Sequence, residues 1–567
     1  MLGGWIDNLE DLSSTLGVKG TPEQIYGAAV ERWGADADKH VVGQYASLVT
    51  LPDGTVRMAR SPWAGYPLFY HLGPHGMAAC SILRPLFAAG LPKQLRPTVV
   101  AKLVTLEPTD DADAGFEGLQ QVPGGSVVTL TRGGAKAQPF YSPASITTLR
   151  LRRDEDYVDA ANALLAEAVG KALKLSRKPA VTLSGGLDSS IVCDEMTRQL
   201  PAGSGLKAIT FEPMAAWDGR AIPGLFGSDR PYVEEFLRCH PGLDHQFVDN
   251  SEYNFLSFSD AAFLASDRGH PMSVLGQVGF GVAQAARDAG CDWVFSAGLG
   301  NLTFSNEAPW APAEFFRTLR WKELWQRSAS RVADPRPVWR RALATGVMPN
   351  LPPRLRWALR DLVHRGRPPE VSTNPYLAKE GPLADKLSSR HFARSAADMD
   401  FFHSRDRLTN EIYDLLRFGG ESGVGMQQVN GLQGRDVLAY RPFIEFCLSL
   451  PTRQFVRGGE GRYLARRMAI GRLPDAQRTE RRHGDHIADW HARLTPMLPQ
   501  LREEVRQIAE HPELGQMLDV QAMLHDLDNW PTVAPTDIQT VSRLRFALPA
   551  MCYVRRYVDY VSGRNPQ

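Results

Sequence analysis

The most constraining feature of this chain is one unbroken passage, Ala180-Val181-Thr182-Leu183-Ser184-Gly185-Gly186-Leu187-Asp188-Ser189-Ser190. A short apolar run of this kind predicts a strand buried on both faces, as in a parallel sheet. Helical periodicity resumes from about Ser190, so strand, glycine turn and helix open an α/β unit. Two consecutive glycines let the backbone turn through positive φ and lie close to a ligand. The helix start then offers free N–H groups and a positive dipole end to phosphate oxygens. Ser184, Ser189 and Ser190 add hydroxyl donors, and Asp188 supplies a carboxylate able to hold Mg²⁺ against those phosphates. An ordinary strand-to-helix turn is the structural alternative, but motif, strand context and helix context agree on a triphosphate site. The spacing is not that of the GxxxxGK[ST] loop, so γ-phosphoryl transfer is not implied.

Around this unit, Ala161, Leu164, Leu165, Ala168, Val169, Ala172 and Leu173 recur at helical spacing. Ala208 to Phe211 and Trp293 to Ser296 are further strand candidates with helical stretches between them, which predicts a doubly wound sheet. Beyond Pro309 the chain reads as mainly helical. The first part differs: Val41 to Leu51, Thr55 to Arg60 and Val127 to Thr131 are β-rich runs separated by turns such as Pro52-Asp53-Gly54 and Pro123-Gly124-Gly125. Thr21-Pro22-Glu23-Gln24 carries the marks of a helix start. With the polar stretch 142–153 as a divider, the expected domains are 1–142 and 154–567, each long enough for its own core.

Lys and Arg total 64 against 63 Asp and Glu, so no global field would recruit nucleic acid or an anionic membrane. No segment reaches the length of a membrane span. The six cysteines, at 80, 193, 239, 291, 447 and 552, form no CxxC pair and no zinc spacing. Asp7, Glu10 and Asp11 stand where a secretion signal would carry positive charge. Reduced thiols and a cytoplasmic location are expected.

The 184–190 passage is similar to the SGGxDS pyrophosphate loop of ATP pyrophosphatases, which attack ATP at the α-phosphate, form an acyl-adenylate and release pyrophosphate. Lys207-Ala208-Ile209-Thr210-Phe211 resembles the next strand of that fold, whose end contributes to the adenine pocket. His245 falls where the family often has a histidine, and a structural role for it is equally open. Ala59-Arg60-Ser61-Pro62-Trp63-Ala64-Gly65-Tyr66-Pro67-Leu68-Phe69-Tyr70 is similar to the ARDPxGxxPLYY of asparagine synthetase B, and Gly118 to Gly125 to its PPG segment. At the level of domain order the resemblance covers nearly the whole chain. It implies an α/β and α+β architecture: an N-terminal glutaminase-like (Ntn-type) β-rich sandwich, and a doubly wound ATP-pyrophosphatase domain (adenine nucleotide alpha hydrolase-like) with a helical C-terminal extension. It further implies ATP contacts at Leu183, Ser184, Gly185, Gly186, Asp188, Ser189, Ser190, Thr210, Phe211, Ala297 and Gly298.

Departures from asparagine synthetase narrow the branch. Leu2 stands where a glutaminase of this type carries its nucleophilic Cys, and the nearest cysteine is Cys80. Without a thiol there is no covalent glutamine chemistry, so the amine must come from the substrate, as in β-lactam synthetases and lasso peptide cyclases. Ser296-Ala297-Gly298-Leu299-Gly300-Asn301-Leu302 aligns with the synthetase SGDGADE, with Gly298 and Asn301 replacing the aspartates and Leu302 the glutamate. Metal binding by this loop is then expected to be weaker, or reorganised around Asp188 and Asn301. Gly434-Arg435-Asp436, with Glu445-Phe446-Cys447-Leu448-Ser449-Leu450-Pro451, resembles the lasso-cyclase RDPxxDxRxxEFCLSLP, from which Val437 and Tyr440 depart. Arg435 serves either an acceptor or pyrophosphate site, or an ion pair with Asp436 or Glu445. Leu473-Pro474-Asp475-Ala476-Gln477-Arg478-Thr479 through Trp490 resembles LPxxxRTxxxxGxxxADW, and the 546–565 stretch resembles the cyclase tail. Related enzymes place a lysine here. This chain has Arg478 and His483 as catalytic candidates, with Arg481 and Arg482 read as solvated.

The resemblance as a whole implies an ATP- and Mg²⁺-dependent ligase, a lasso peptide macrolactam synthetase, that adenylates an Asp or Glu side chain of a leader-free precursor peptide and joins it to the peptide's own α-amine. Its implied partners are that peptide and a leader peptidase. A β-lactam synthetase is the alternative, weakened because Gln433 stands where the synthetase glutamate would be; an asparagine synthetase-like amidoligase and a non-catalytic nucleotide-binding scaffold stand further off. Thirteen Arg or Lys lie between Arg317 and Arg367, interleaved with Trp321, Trp325, Trp339 and Trp357. Solvated helices with inward-packed tryptophans are the favoured reading of that stretch, with contact to a protease partner or the precursor peptide second.

Overall fold

Among the described residues, the β-rich first part of the chain forms eight strands: β1 (Leu2–Ile6), β2 (Gly43–Thr50), β3 (Val56–Arg60), β4 (Phe69–Gly73), β5 (Gly76–Cys80), β6 (Gln120–Gln121), β7 (Ser126–Thr131) and β8 (Gly134–Pro139). This computed structural model describes the chain apart from residues 64, 75, 107–112, 202–204, 255, 257–262, 264, 265, 269–272, 332, 333, 335, 364–373, 382, 384–402, 407, 408, 410–423, 426, 430 and 565–567. Ala64 and Arg367, named above, and the last residue of the 546–565 stretch thus lie outside the described residues.

The strands form an antiparallel five-stranded sheet in the order β1-β2-β3-β7-β8 and a three-stranded sheet in the order β5-β4-β6. Strand periodicity sends neighbouring side chains to opposite faces. Met58 packs against Tyr70, Val122 and Val128 between the two sheets. Its neighbour Arg57 emerges on the other face, ion-paired with Asp38 and donating to the Tyr26 hydroxyl at 2.9 Å. Tyr26 belongs to the helix Pro22–Trp33, which Thr21 and Gln24 cap reciprocally. The helix Pro97–Thr105 packs against the C-terminal helix Leu548–Ser562, in an apolar cluster shared with Phe69 of β4. The layers therefore run helix, sheet, sheet, helix.

The remaining strands are β9 (Pro179–Thr182), β10 (Lys207–Phe211), β11 (Leu225–Phe226), β12 (Asp244–Val248), β13 (Trp293–Ser296), β14 (Gln433–Asp436) and β15 (His483–Gly484). Five of them form a parallel sheet in the order β12-β10-β9-β13-β14. Both faces are covered. Val181 and Phe295 pack with Ala161 and Leu165 of the helix Asp154–Leu173 on one side, and Ala180 and Ile209 pack with Val282 and Ala286 of the helix Ser273–Asp288 on the other. From β9 the chain runs outward through β10 to β12, then returns to lay β13 on the opposite side of β9. Such a reversal opens a crevice beyond the carboxyl ends of the two central strands.

Two readings need correction. β14 is a strand inside a region read as helical: Gln-Gly-Arg-Asp has no apolar alternation and takes its conformation from pairing with β13. Of the four tryptophans read as packed inward, only Trp357 is buried; Trp321, Trp325 and Trp339 are each more than half exposed. Among the described residues no helix is long and apolar enough to cross a membrane.

Candidate active site

The helix Leu187–Gln199 begins directly behind β9, so its first N–H groups point into the crevice. The loop between them is tied down locally. Ser184 N–H donates to the Ser189 hydroxyl at 3.0 Å, the Ser184 and Ser189 hydroxyls lie 2.7 Å apart, and Gly186 N–H donates to Ser184 Oγ at 3.2 Å. At Gly185 the need for glycine is one of space rather than of positive φ. Neither Gly185 nor Gly186 has positive φ; Gly186 sits at φ −78°, ψ 159°. Close approach is the cause, since a Cβ on Gly185 would meet Asp229 Oδ1 and Tyr232 at 2.9 Å. Asp229 instead accepts the Gly185 N–H at 2.8 Å.

One cleft of about 760 Å³ is lined by Leu183, Ser184, Gly185, Gly186, Asp188, Ser189, Phe211, Ala297, Gly298, Asn301, Arg435 and His483. All of these are candidates on the sequence alone, and the fold brings them together from the ends of β9, β10, β13 and β14, with His483 from β15. Two expected nucleotide contacts lie behind the cleft. Ser190 is buried and donates to Ser184 O at 3.1 Å, while Thr210 is buried and hydrogen-bonded to His245 Nε2 at 2.8 Å. Arg478 is not brought to the cleft: it pairs with Asp475 at 2.8 Å on its own helical turn. Arg482, read as solvated, stands at the cleft and pairs with Glu480 at 2.7 Å.

Asp188 carries the sharpest electrostatics. Burial pushes its carboxyl up to about 6, against the pull of Arg462, and its Oδ1 is buried with no hydrogen-bond partner among the described residues. Gly300 makes room for it, since a Cβ there would lie 2.3 Å from Asp188 Cγ. The partner assigned to it from sequence, Asn301, is otherwise engaged, because Asn301 Oδ1 accepts from Arg462 Nη2 at 2.8 Å. A second carboxylate enters from β14. Asp436 accepts N–H bonds from Leu299 at 2.8 Å and Leu438 at 2.9 Å, and burial raises it to about 6. Among the described residues no group of three or more His, Cys, Asp or Glu forms a metal cluster.

Several site residues escape sequence reasoning. Gln477 reaches under the loop, donating to Gly185 O at 3.1 Å and Ser190 Oγ at 2.6 Å. Arg462 holds the left-handed φ of 54°, a conformation costing a non-glycine residue about 1–3 kcal/mol. The strain delivers its guanidinium to Asn301, to His483 Nδ1 at 2.7 Å and to Glu307 at 3.2 Å. Since arginine only donates, His483 Nδ1 accepts, and the neutral ring carries its proton on Nε2. Burial, then the Arg462 charge, keeps His483 below the ordinary histidine range. Burial works to raise Glu307, but Arg327 and Arg462 hold it below the ordinary carboxylate range.

The far wall comes from the N-terminal part of the chain: the sheet supplies Trp5 and Gln44, and the loop between β3 and β4 supplies Tyr66. Trp5 meets Trp293 edge-on at 5.5 Å between centroids. Arg435, buried on β14, makes a bidentate pair with Asp7 at 2.9 and 3.0 Å. Its ion-pair partner is therefore neither Asp436 nor Glu445.

Residues 160–542 match the family model described as asparagine synthase. The carboxyethyl-arginine beta-lactam-synthase of Streptomyces clavuligerus is 29% identical over 193 residues, which is 34% of this chain. The match spans 36% of that curated relative's length. Among solved structures, the glutamine-dependent NAD+ synthetase of Acinetobacter baumannii in complex with adenosine diphosphate gives a TM-score of 0.21 at 10% identity, covering 71% of this chain and 90% of that one. The U34-tRNA thiolase of Methanococcus maripaludis gives 0.19 at 14%, covering 47% and 80%. Scores this low carry no structural argument.

Proposed function

Since the chain belongs to the asparagine synthase family, we propose that it is an ATP-dependent carbon–nitrogen ligase of the lasso peptide cyclase type, closing a macrolactam between a side-chain carboxylate and the α-amine of one leader-free peptide. The observation that carries this reading is the continuity of the cleft. A single chamber joins the nucleotide loop to a wall of Trp5, Gln44, Tyr66, Gln427 and Gln433, and no cysteine is among the described residues that line it. Its volume lies in the upper part of the range for small-molecule sites, about 300–1,000 Å³. The N-terminal helix-sheet-sheet-helix layering supports descent from a glutaminase-like domain now used as a cleft wall.

In the first step the peptide carboxylate oxygen attacks the α-phosphorus of ATP, and pyrophosphate leaves with the bridging electron pair. The α-amine nitrogen then attacks the acyl carbon, AMP departs, and the amine proton passes to solvent or an adjacent base. The N–H groups at the start of the helix Leu187–Gln199 and the Ser184 and Ser189 hydroxyls hold phosphate oxygens. Arg462 and Arg482 supply the positive charge that a lysine gives in related enzymes. An α-amine titrates near about 7.7–8.0, so a fraction is neutral at physiological pH and positioning carries much of the rate. Asp188, with its uncommitted buried oxygen, fits Mg²⁺, which when bound would offset charge on the phosphates. A leader peptidase acting earlier would supply the free α-amine.

The relative noted above favours a second reading, a smaller intramolecular ring closed as by a β-lactam synthetase. Gln433 at the cleft, where that chemistry uses a glutamate, weighs against it. The test is mass spectrometry of leader-free candidate peptides incubated with the protein, ATP and Mg²⁺, with AMP and pyrophosphate assayed in parallel. Loss of one water from the peptide with stoichiometric AMP supports the cyclase. Turnover only with small β-amino acid substrates supports the second reading, and absence of pyrophosphate release with any carboxylate refutes both.

A further inference from the structure

The stretch from Arg317 to Arg367 departs from the rest of the chain in two ways at once. Its thirteen Arg and Lys stand against three acids, Glu323, Asp334 and Asp361, an excess of ten positive charges in a chain whose net charge is +1. Two of those acids are already matched, Glu323 by Arg320 at 2.9 Å and Asp334 by Arg336 at 2.6 Å, while the exposed Lys322 and Arg340 make no ion pair among the described residues. The second departure is apolar. Fourteen large apolar side chains are exposed among the described residues, and eight of them lie between Leu319 and Leu362, with every exposed tryptophan among them. Scattered apolar residues on a surface need no explanation, but a cluster of them rimmed by charge marks an interaction site. The helix Trp321–Ser330 carries the centre of this face. Leu324, Arg327 and Ser328 turn inward, whereas Trp321, Lys322 and Trp325 are exposed, the two tryptophans one turn apart and therefore neighbours on the helix surface. The helix Val338–Ala342 packs beside it, tied by Arg341 Nη1 to Ser328 O at 3.3 Å, and presents Trp339 with the Arg340 guanidinium 5.1 Å from its ring centre.

We propose that this face docks the protein on an anionic lipid bilayer, its tryptophan side chains entering the headgroup region and Lys322, Arg340 and the cations around them meeting lipid phosphates. The near-zero net charge excludes a global field, but ten charges gathered in one stretch make a local one, and charge complementarity selects an anionic occupant. The form of the face selects a bilayer over a folded protein. Its exposed tryptophans line neither the cleft nor the smaller cavity of about 200 Å³ beside Trp490, so no groove shapes a partner, and a layer of headgroups needs no matching shape. Indoles suit the boundary between apolar and wet surroundings, and Lys and Arg lay their stems along apolar surface while the charge stays in water. Helices that join tryptophan and leucine to cations in this way lie in the plane of a bilayer surface. Attachment is peripheral, since no described helix is long and apolar enough to cross a membrane. None of these side chains lines the cleft, so docking is separable from the ligase chemistry and the proposal stands apart from the reading above.

The experiment sediments the full chain with vesicles of phosphatidylcholine alone and with vesicles in which about one-quarter of the lipid is anionic phosphatidylglycerol. The protein is expected to pellet with the anionic vesicles only, and its affinity to fall at least tenfold at about 1 M salt, where charges are screened within about 3 Å. Lys322→Ser/Arg340→Ser is expected to weaken binding about fivefold per charge removed, the effect of one basic residue at an anionic surface. Trp321→Ser/Trp325→Ser is expected to weaken it at least tenfold. Arg132→Ser/Lys136→Ser removes the same charge from the exposed hairpin of β7 and β8 and is expected to leave binding unchanged. All three variants change exposed side chains and are expected to melt with the wild type; the charge pair carries the test alone if the tryptophan variant unfolds. Equal pelleting with both vesicle types, no pelleting with either, or equal losses in the face and hairpin variants overturns the proposal. Retention on immobilised polyglutamate without binding to anionic vesicles also overturns it, and assigns the face to an acidic polypeptide.

Discussion

Replacing Asp188 with Asn should stabilise the protein while abolishing its chemistry. In the folded chain burial raises this carboxyl from an ordinary 3.8 to about 6. Below pH 3.8 the group is protonated in both states and imposes nothing. As pH rises from there to about 6, the unfolded chain releases its proton while the folded chain retains it, and stability falls. Above about 6 the deficit is constant. A displacement of about two pKa units corresponds to about 3 kcal/mol, an upper figure for what Asp188→Asn recovers. The assay is thermal unfolding of wild type and variant without nucleotide from pH 4 to pH 8, with ATP–pyrophosphate exchange measured in parallel. The expected result is a variant that melts several degrees higher at pH 8, converges with wild type toward pH 4, and exchanges no pyrophosphate. Equal or lower melting at pH 8 would show that the folded protein already satisfies the Asp188 charge, and the argument for an uncommitted oxygen would fail.

Three further substitutions probe the same geometry. Gly300→Ala places a methyl group against Asp188, so exchange activity should fall at least tenfold with a stability loss of about 1–3 kcal/mol; retained activity would mean that the loop is free to shift. Arg435→Ala strands the Asp7 carboxylate and should cost about 3–5 kcal/mol in denaturant unfolding, most of it recovered in Arg435→Met/Asp7→Leu; a single variant as stable as wild type would refute the buried pair. His483→Gln preserves an acceptor for Arg462 and should cyclise within about threefold of wild type while His483→Ala does not; equal losses of about 100-fold or more, the scale of general-base catalysis, would instead assign His483 as the base.

What could be read from the sequence was what is local. The loop from Ser184 to Ser190 was legible because strand, turn and helix follow one another without interruption, and each imposes its own periodicity or residue type. The Thr21–Gln24 cap was legible for the same reason. β14 was not, because a four-residue polar strand exists only where β13 offers it hydrogen bonds. Trp5 gave no signal either: its place in the cleft depends on Trp293, and its chain neighbours say nothing of that contact. Gln477 sat inside a passage noted for its arginines, yet the buried amide is the side chain that reaches the nucleotide loop, and the arginine beside it turns back to Asp475.

The 296–302 loop shows why a residue-by-residue comparison understates this site. Taken along the chain, Gly298 stands in a loop that resembles the aspartate-bearing synthetase motif, and Asp436 belongs to another motif. In space, a Cβ on Gly298 would lie 3.0 Å from Asp436 Oδ2, and Leu299 N–H donates to that same oxygen. A side chain at 298 and the Asp436 carboxylate therefore compete for one volume, and two carboxylates there would repel in a buried setting where Asp436 alone is already pushed up to about 6. One carboxylate fills this volume, and it comes from the end of β14 rather than from the end of β13. The cleft holds two buried carboxylates, Asp188 and Asp436. The second acid now arises next to Arg435, so the strand that pairs with Asp7 of the N-terminal sheet also carries the charge facing the nucleotide loop.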